Sequence, residues 1–131
     1  MALNLNDLLG RQLVPLGTLS NFSLITTGTF PIFTAAPNAR FACVAAVVLT
    51  QPVNITGGVT ASFGSGATAT DYVASAALTL PGLDTVILPP STSQVAGNTW
   101  LAYQSGTVFN FKITVAATTG TMTLVALGWN E

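Results

Sequence analysis

The sequence predicts an all-β chain: a single-domain antiparallel β-sandwich or jelly roll of about eight strands. Residues 19–131 form the sandwich, and residues 1–18 form a short N-terminal arm. Three observations lead there. The stretch Thr107–Trp129 alternates apolar and polar residues with the period of a half-buried strand, Phe109, Phe111, Ile113 and Val115 against Asn110, Lys112 and Thr114. Short runs rich in Val, Ile, Thr and Phe recur along the chain, each bounded by Gly, Pro or Asn. The length of 131 residues suits one domain with a core of its own.

Taken in order, Met1–Val14 scatters Leu3, Leu5, Leu8, Leu9 and Leu13 among polar residues. Asn6 or Asp7 could cap one helical turn, but the segment is too short for a stable helix. It is read as an arm that lies on something else, with a frayed terminus as the alternative. Asn21–Thr34 reads as a strand, with Pro31 placing it at an edge or a bulge. Ala35–Asn38 is a turn. Arg40–Thr50 is read as a fully buried strand, with Val44, Val47 and Val48 inside a continuous apolar run. Pro52 and Asn54 end it, and Gly57-Gly58 precede the strand Val59–Phe63. Gly64–Thr70 is a loop of small residues.

In Asp71–Leu80, Tyr72, Ala76 and Leu80 have helical spacing, while Thr79 and Pro81 favour extended chain. Pro81-Gly82 is a turn signal. Thr85–Leu88 is a short strand ended by Pro89-Pro90, and Ser91–Gly97 is a polar loop. Thr99–Tyr103 is a strand and Ser105-Gly106 a turn.

The closing stretch reads as a hairpin. A three-residue turn, Thr118-Thr119-Gly120, with the glycine left-handed, sets Phe109 opposite Trp129, Phe111 opposite Leu127 and Ile113 opposite Val125. Met122, Leu124 and Ala126 then share the outward face with Asn110, Lys112 and Thr114. A four-residue turn exchanges the faces of the second strand and puts Val125, Leu127 and Trp129 outside. In both registers one outward face stays apolar, which a soluble monomer seldom leaves bare. A strand covered on both sides by its own domain is one reading, a subunit interface the other. The candidate interface residues are Leu3, Leu5, Leu8 and Leu9 of the arm, with Lys112, Met122 and Leu124 of the hairpin.

Composition narrows the function classes. Charged residues make up 5% of the chain, against a usual ~25%. A net charge of -1 gives no basis for a nucleic-acid partner. So neutral a surface suits a subunit in a homo-oligomer or larger assembly better than a free monomer. There is no His, and the single Cys43 lies in an apolar run as a small buried residue. No secretion signal is read at the start, and the longest apolar run, Phe41–Leu49, is too short for a membrane-spanning helix.

Catalytic patterns are sparse. Asp7, Asp71, Asp84 and Glu131 are the only side-chain carboxylates. They are far apart in sequence, whereas glycoside hydrolysis needs two across a cleft. Asp71 with neighbouring carbonyls is a weak calcium pattern. No serine has a histidine partner. Gly64–Ala69 has glycine-fingerprint spacing but stands between strands, where a dinucleotide site needs a helix. Asn21-Phe22-Ser23 and Asn54-Ile55-Thr56 match the glycosylation pattern without a secretion signal. The chain is therefore expected to be non-enzymatic and to need no cofactor. Trp100, Tyr103, Trp129 and Tyr72 are read first as core residues and second as a glycan-stacking platform.

Between Val59 and Trp129 the order of features resembles the small β-sandwich decoration, or cement, proteins of tailed bacteriophage heads. A strand ends in Ser62-Phe63-Gly64-Ser65, and Asp71-Tyr72-Val73-Ala74-Ser75-Ala76-Ala77-Leu78 follows. Then come the loop at Gly97-Asn98, the strand Phe109–Val115, the turn Thr118-Thr119-Gly120 and a closing strand Thr121–Leu127. The resemblance implies a virion protein, often trimeric, that sits on capsid lattice points and bridges subunits of the major capsid protein or of another virion component. The apolar first half and the low charge depart from that pattern, which leaves head surface, tail tube and fibre open as its place. A glycan-binding module is the other function class considered.

Overall fold

A computed structural model describes residues 13–78, 85–88 and 101–131. These residues form nine strands: β1 Val14–Ser23, β2 Gly28–Thr34, β3 Phe41–Thr56, β4 Thr60–Ser65, β5 Val73–Ala77, β6 Val86–Leu88, β7 Leu101–Gln104, β8 Val108–Val115 and β9 Thr119–Asn130. One sheet has the order β1-β9-β3-β6, with β7 also paired to β3; the other has the order β2-β8-β4-β5. Every pairing is antiparallel. β6 and β7 share one edge, pairing with Val47–Leu49 and with Phe41–Val44 of β3. Counting them as one position, each sheet is four strands wide. The chain changes sheet at every connection except β4–β5 and β6–β7. This is the strand order of a jelly roll, two interleaved Greek keys.

β8 and β9 do not form the expected hairpin. β8 lies between β2 and β4, and β9 lies between β1 and β3 in the other sheet. The short connection does not close on itself. Ala117 donates its N–H to the Leu24 carbonyl at 2.9 Å, and Thr118 donates to the Thr56 carbonyl at 2.9 Å. Leu24 in turn donates to the Gly120 carbonyl at 3.0 Å. Neighbouring strands thus take the polar groups that a hairpin turn would have used. Alternation cannot separate the two cases, because both strands present one apolar face to the same core.

The expected strand Asn21–Thr34 is likewise two strands in different sheets, broken where Leu24 enters the core. Pro31 does sit on an edge strand, beside a register shift between Pro31 and Phe33. The break expected at Pro52 and Asn54 appears as bulges within a long β3, with register shifts on either side of Val53 and positive φ at Gln51 and Asn54. Asn21 lies in a bulge of β1 with φ 49°. Both asparagines of the glycosylation-like triplets therefore occupy left-handed backbone, which Asn tolerates better than most residues. Asp71–Leu80 resolves in favour of extended chain, since Val73–Ala77 is a strand. Residues 14–18, expected in the arm, lie in β1 and pair with β9.

The core lies between the sheets. Phe63, Phe109, Phe111 and Ile113 from one sheet meet Val44, Val47, Leu49, Met122, Leu124 and Ala126 from the other, all buried. Phe111 stacks on Phe63 at 4.9 Å and meets Phe22 edge-on at 5.9 Å. Phe109 stacks on Phe33 and takes Tyr72 and Tyr103 against its edges. Gly128 makes the closest backbone approach, since a Cβ there would collide with the Cys43 carbonyl.

Candidate assembly surface

The two outer faces of the sandwich differ in chemistry. Residues paired across strands share a face, so the register reads out each face directly. On the β1-β9-β3-β6 sheet, the inward set Met122, Leu124 and Ala126 leaves Val125 and Leu127 facing out. Thr18, Val125, Val48 and Ile87 form one continuous row across all four strands. Pro15, Leu127 and Ala46 form the next row. Ile87 is 64% exposed and Val53, further along β3, is 48% exposed; Val48, Val125, Leu127 and Ala46 are half-buried. None of the five strands in this sheet contains a charged residue.

The opposite outer face is polar. Lys112 is half-buried there, in register with Thr29 on β2 and Ser62 on β4. Asn110, on the same face, donates through Nδ2 to the Gly66 carbonyl at 2.9 Å, and Thr114 donates through Oγ1 to the Thr60 carbonyl at 3.2 Å. Among the described residues, the sandwich thus has one uncharged, largely apolar face and one polar face whose strands hold a single cation, Lys112, beside the buried Asn110 and Ser62.

The candidate interface residues fall in three places. Leu3, Leu5, Leu8 and Leu9 lie outside the described residues. Lys112 faces outward as expected. Met122 and Leu124 do not: both are fully buried between the sheets, because β9 turns its even-numbered side chains to the core. The residues that replace them are Val125 and Leu127, together with Val48 and Ile87. Val48 carried a signal. Phe41–Leu49 is apolar on both faces and reads as fully buried, yet while Ala42, Cys43, Val44, Val47 and Leu49 are buried, Val48 is half-buried and lines the outer face.

The aromatic platform is dismantled by burial. Tyr72 is fully buried, and Tyr103 and Trp129 are 6% exposed. Trp100 lies outside the described residues. Tyr72 donates its hydroxyl to the Leu88 carbonyl at 2.8 Å, which ties the start of β5 to β6 in the other sheet. Burial pushes the Tyr72 phenol well above its ordinary value, offset in part by the Val47 backbone. Tyr103 is pushed up further, first by burial and then by the Asp71 charge beside it.

Asp71, the residue of the weak calcium pattern, closes the glycine-spaced loop. Its Oδ1 accepts from the Ser65 N–H at 2.7 Å and its Oδ2 accepts from the Ser65 hydroxyl at 2.6 Å. The Tyr103 hydroxyl lies 3.5 Å from Oδ1. Gly64 has a positive φ, and a Cβ there would collide with the Asp71 carboxylate. The loop is therefore a pinned corner between β4 and β5. Asp7 and Asp84 lie outside the described residues. No family model matches this chain, and neither curated proteins nor solved structures give a match.

Proposed function

We propose that this chain is a non-enzymatic structural subunit of a virion: a capsid decoration, or cement, protein that bridges neighbouring shell subunits and stabilises the particle. The observation that carries this reading is the uncharged outer face of the β1-β9-β3-β6 sheet, which spans four strands and exposes Ile87 and Val53. A permanent assembly hides such a face, whereas a free monomer would leave it in water. The polar face with Lys112 suits contact with a hydrated shell surface, where hydrogen bonds and trapped water supply the fit. A protein that binds the assembled shell and not its separate subunits stabilises the shell by mass action. Burial of Tyr72, Tyr103 and Trp129 counts against the glycan-binding alternative.

The test is recovery from purified particles. Gradient-purified virions should contain the chain in fixed proportion to the major capsid protein. Assembled shells stripped of it should take it back, while unassembled capsid subunits should not. Absence from particles, or equal binding to free subunits, refutes the reading.

A further inference from the structure

We propose that the uncharged outer face of the β1-β9-β3-β6 sheet mates with the same face of a second copy of this chain, the two sheets stacking about a two-fold axis. This deepens the assembly reading above and rests on it, by naming the occupant of the apolar face.

The first argument is charge. In a two-fold contact each patch meets its own copy, so a patch of one sign repels itself. The five strands of this sheet hold no Asp, Glu, Lys or Arg. The face is therefore compatible with itself, and it offers a charged partner nothing to pair with. The second argument is relief. The central row, Thr18, Val125, Val48 and Ile87, is a ridge of β-branched residues of similar size, and in the next row Leu127 stands between the smaller Pro15 and Ala46. Two such faces can interdigitate as stacked sheets do, about 10 Å apart. The third argument is area. Strands of 10, 16 and 12 residues, with 3 and 4 more in β6 and β7 at the fourth position, present roughly 700 Å² at ~3.3 Å per residue and ~4.8 Å between strands. A stable interface takes ~800 Å² from each partner, close to that size, and beyond the central rows the uncharged surface continues through Thr50 and Thr123 to the exposed Val53. A face that pairs with itself closes at two copies, so the geometry points to pairs where the resemblance implies trimers.

Sedimentation equilibrium on the full chain tests this, with Ile87→Asp and Val125→Asp on the proposed face and Thr29→Asp on the opposite face as the charge control. Ile87 is the most exposed of the large apolar residues, so its substitution leaves the core intact; circular dichroism and the thermal midpoint confirm folding of each variant. The wild-type chain and Thr29→Asp should sediment at twice the mass of one chain. Ile87→Asp and Val125→Asp should weaken self-association by about tenfold or more each. A wild-type monomer, a trimer, or pairs that both substitutions leave intact would overturn the proposal. A monomer that is still recovered in purified particles overturns the self-mating face alone. A pair that is absent from particles supports the mating face and overturns the virion reading.

Discussion

Phe111 and Lys112 are adjacent in β8 and point to opposite sides of their sheet, so substituting each in turn tests the alternation on which the sandwich rests. Phe111 is fully buried, stacked on Phe63 at 4.9 Å with 20° between the rings and edge-on to Phe22 at 5.9 Å. Truncating a buried Phe to Ala costs ~3–5 kcal/mol. Two aromatic contacts, each worth ~0.5–1.5 kcal/mol beyond burial, put Phe111→Ala near the upper end, about 4–5 kcal/mol. With an unfolding entropy of about 2.1 cal/mol/K per residue, a chain of 131 residues loses roughly 15 °C in Tm. That is a large share of the ~5–15 kcal/mol that holds a domain folded. Lys112 is half-buried on the polar face, in register with Thr29 and Ser62. Lys112→Ala should cost less than ~1 kcal/mol, as loss of a surface charge does. Urea denaturation of the isolated subunit reads both, with the slope checked for constancy. Comparable damage from the two substitutions would mean that β8 does not have one buried and one outward face.

Two further predictions concern the Asp71 corner. The chain has two tyrosines, Tyr72 and Tyr103, both buried and both with raised phenol ionisation. A folded-state pKa above the unfolded value of about 10 stabilises the fold below that pH and is lost as pH rises past it. Tyrosinate absorbance should therefore stay low until the protein unfolds and then rise in one step with the loss of sheet signal; a tyrosine ionising near pH ~10 in the folded protein would contradict the burial. Asp71→Ala removes the acceptor of two short hydrogen bonds from Ser65. It should lower stability by about 1–2 kcal/mol and speed amide exchange at Ser65, and unchanged exchange there would show that the clasp does not hold the loop.

The β character and strand positions were legible in the sequence because they rest on local signals. Alternation marked β8, the unbroken apolar run marked β3, and Pro31 marked an edge. Sheet membership was not legible. A short, turn-like link between two apolar strands fits a hairpin and a sheet-to-sheet corner equally well. The choice falls to the Leu24 and Thr56 carbonyls, which are remote in sequence. That single ambiguity misplaced Met122 and Leu124, since exchanging the faces of one strand sends its whole apolar set to the other side. Asn54 reads as a strand end because a left-handed Asn in a bulge and one in a turn look alike in sequence. The outer face emerged only once β1, β9, β3 and β6 were set side by side, because its central row draws one residue from each.

Hydroxyl-radical footprinting with residue-level mass spectrometry tests the claim that the uncharged sheet face is the assembly surface most directly. The chain is labelled once at high dilution and once as assembled on particles. The account predicts that Ile87, Val125 and Leu127 lose most of their oxidation on assembly, while Phe111, buried in either state, stays unreactive. Unchanged oxidation of Ile87 and Leu127 in the assembled state would contradict it.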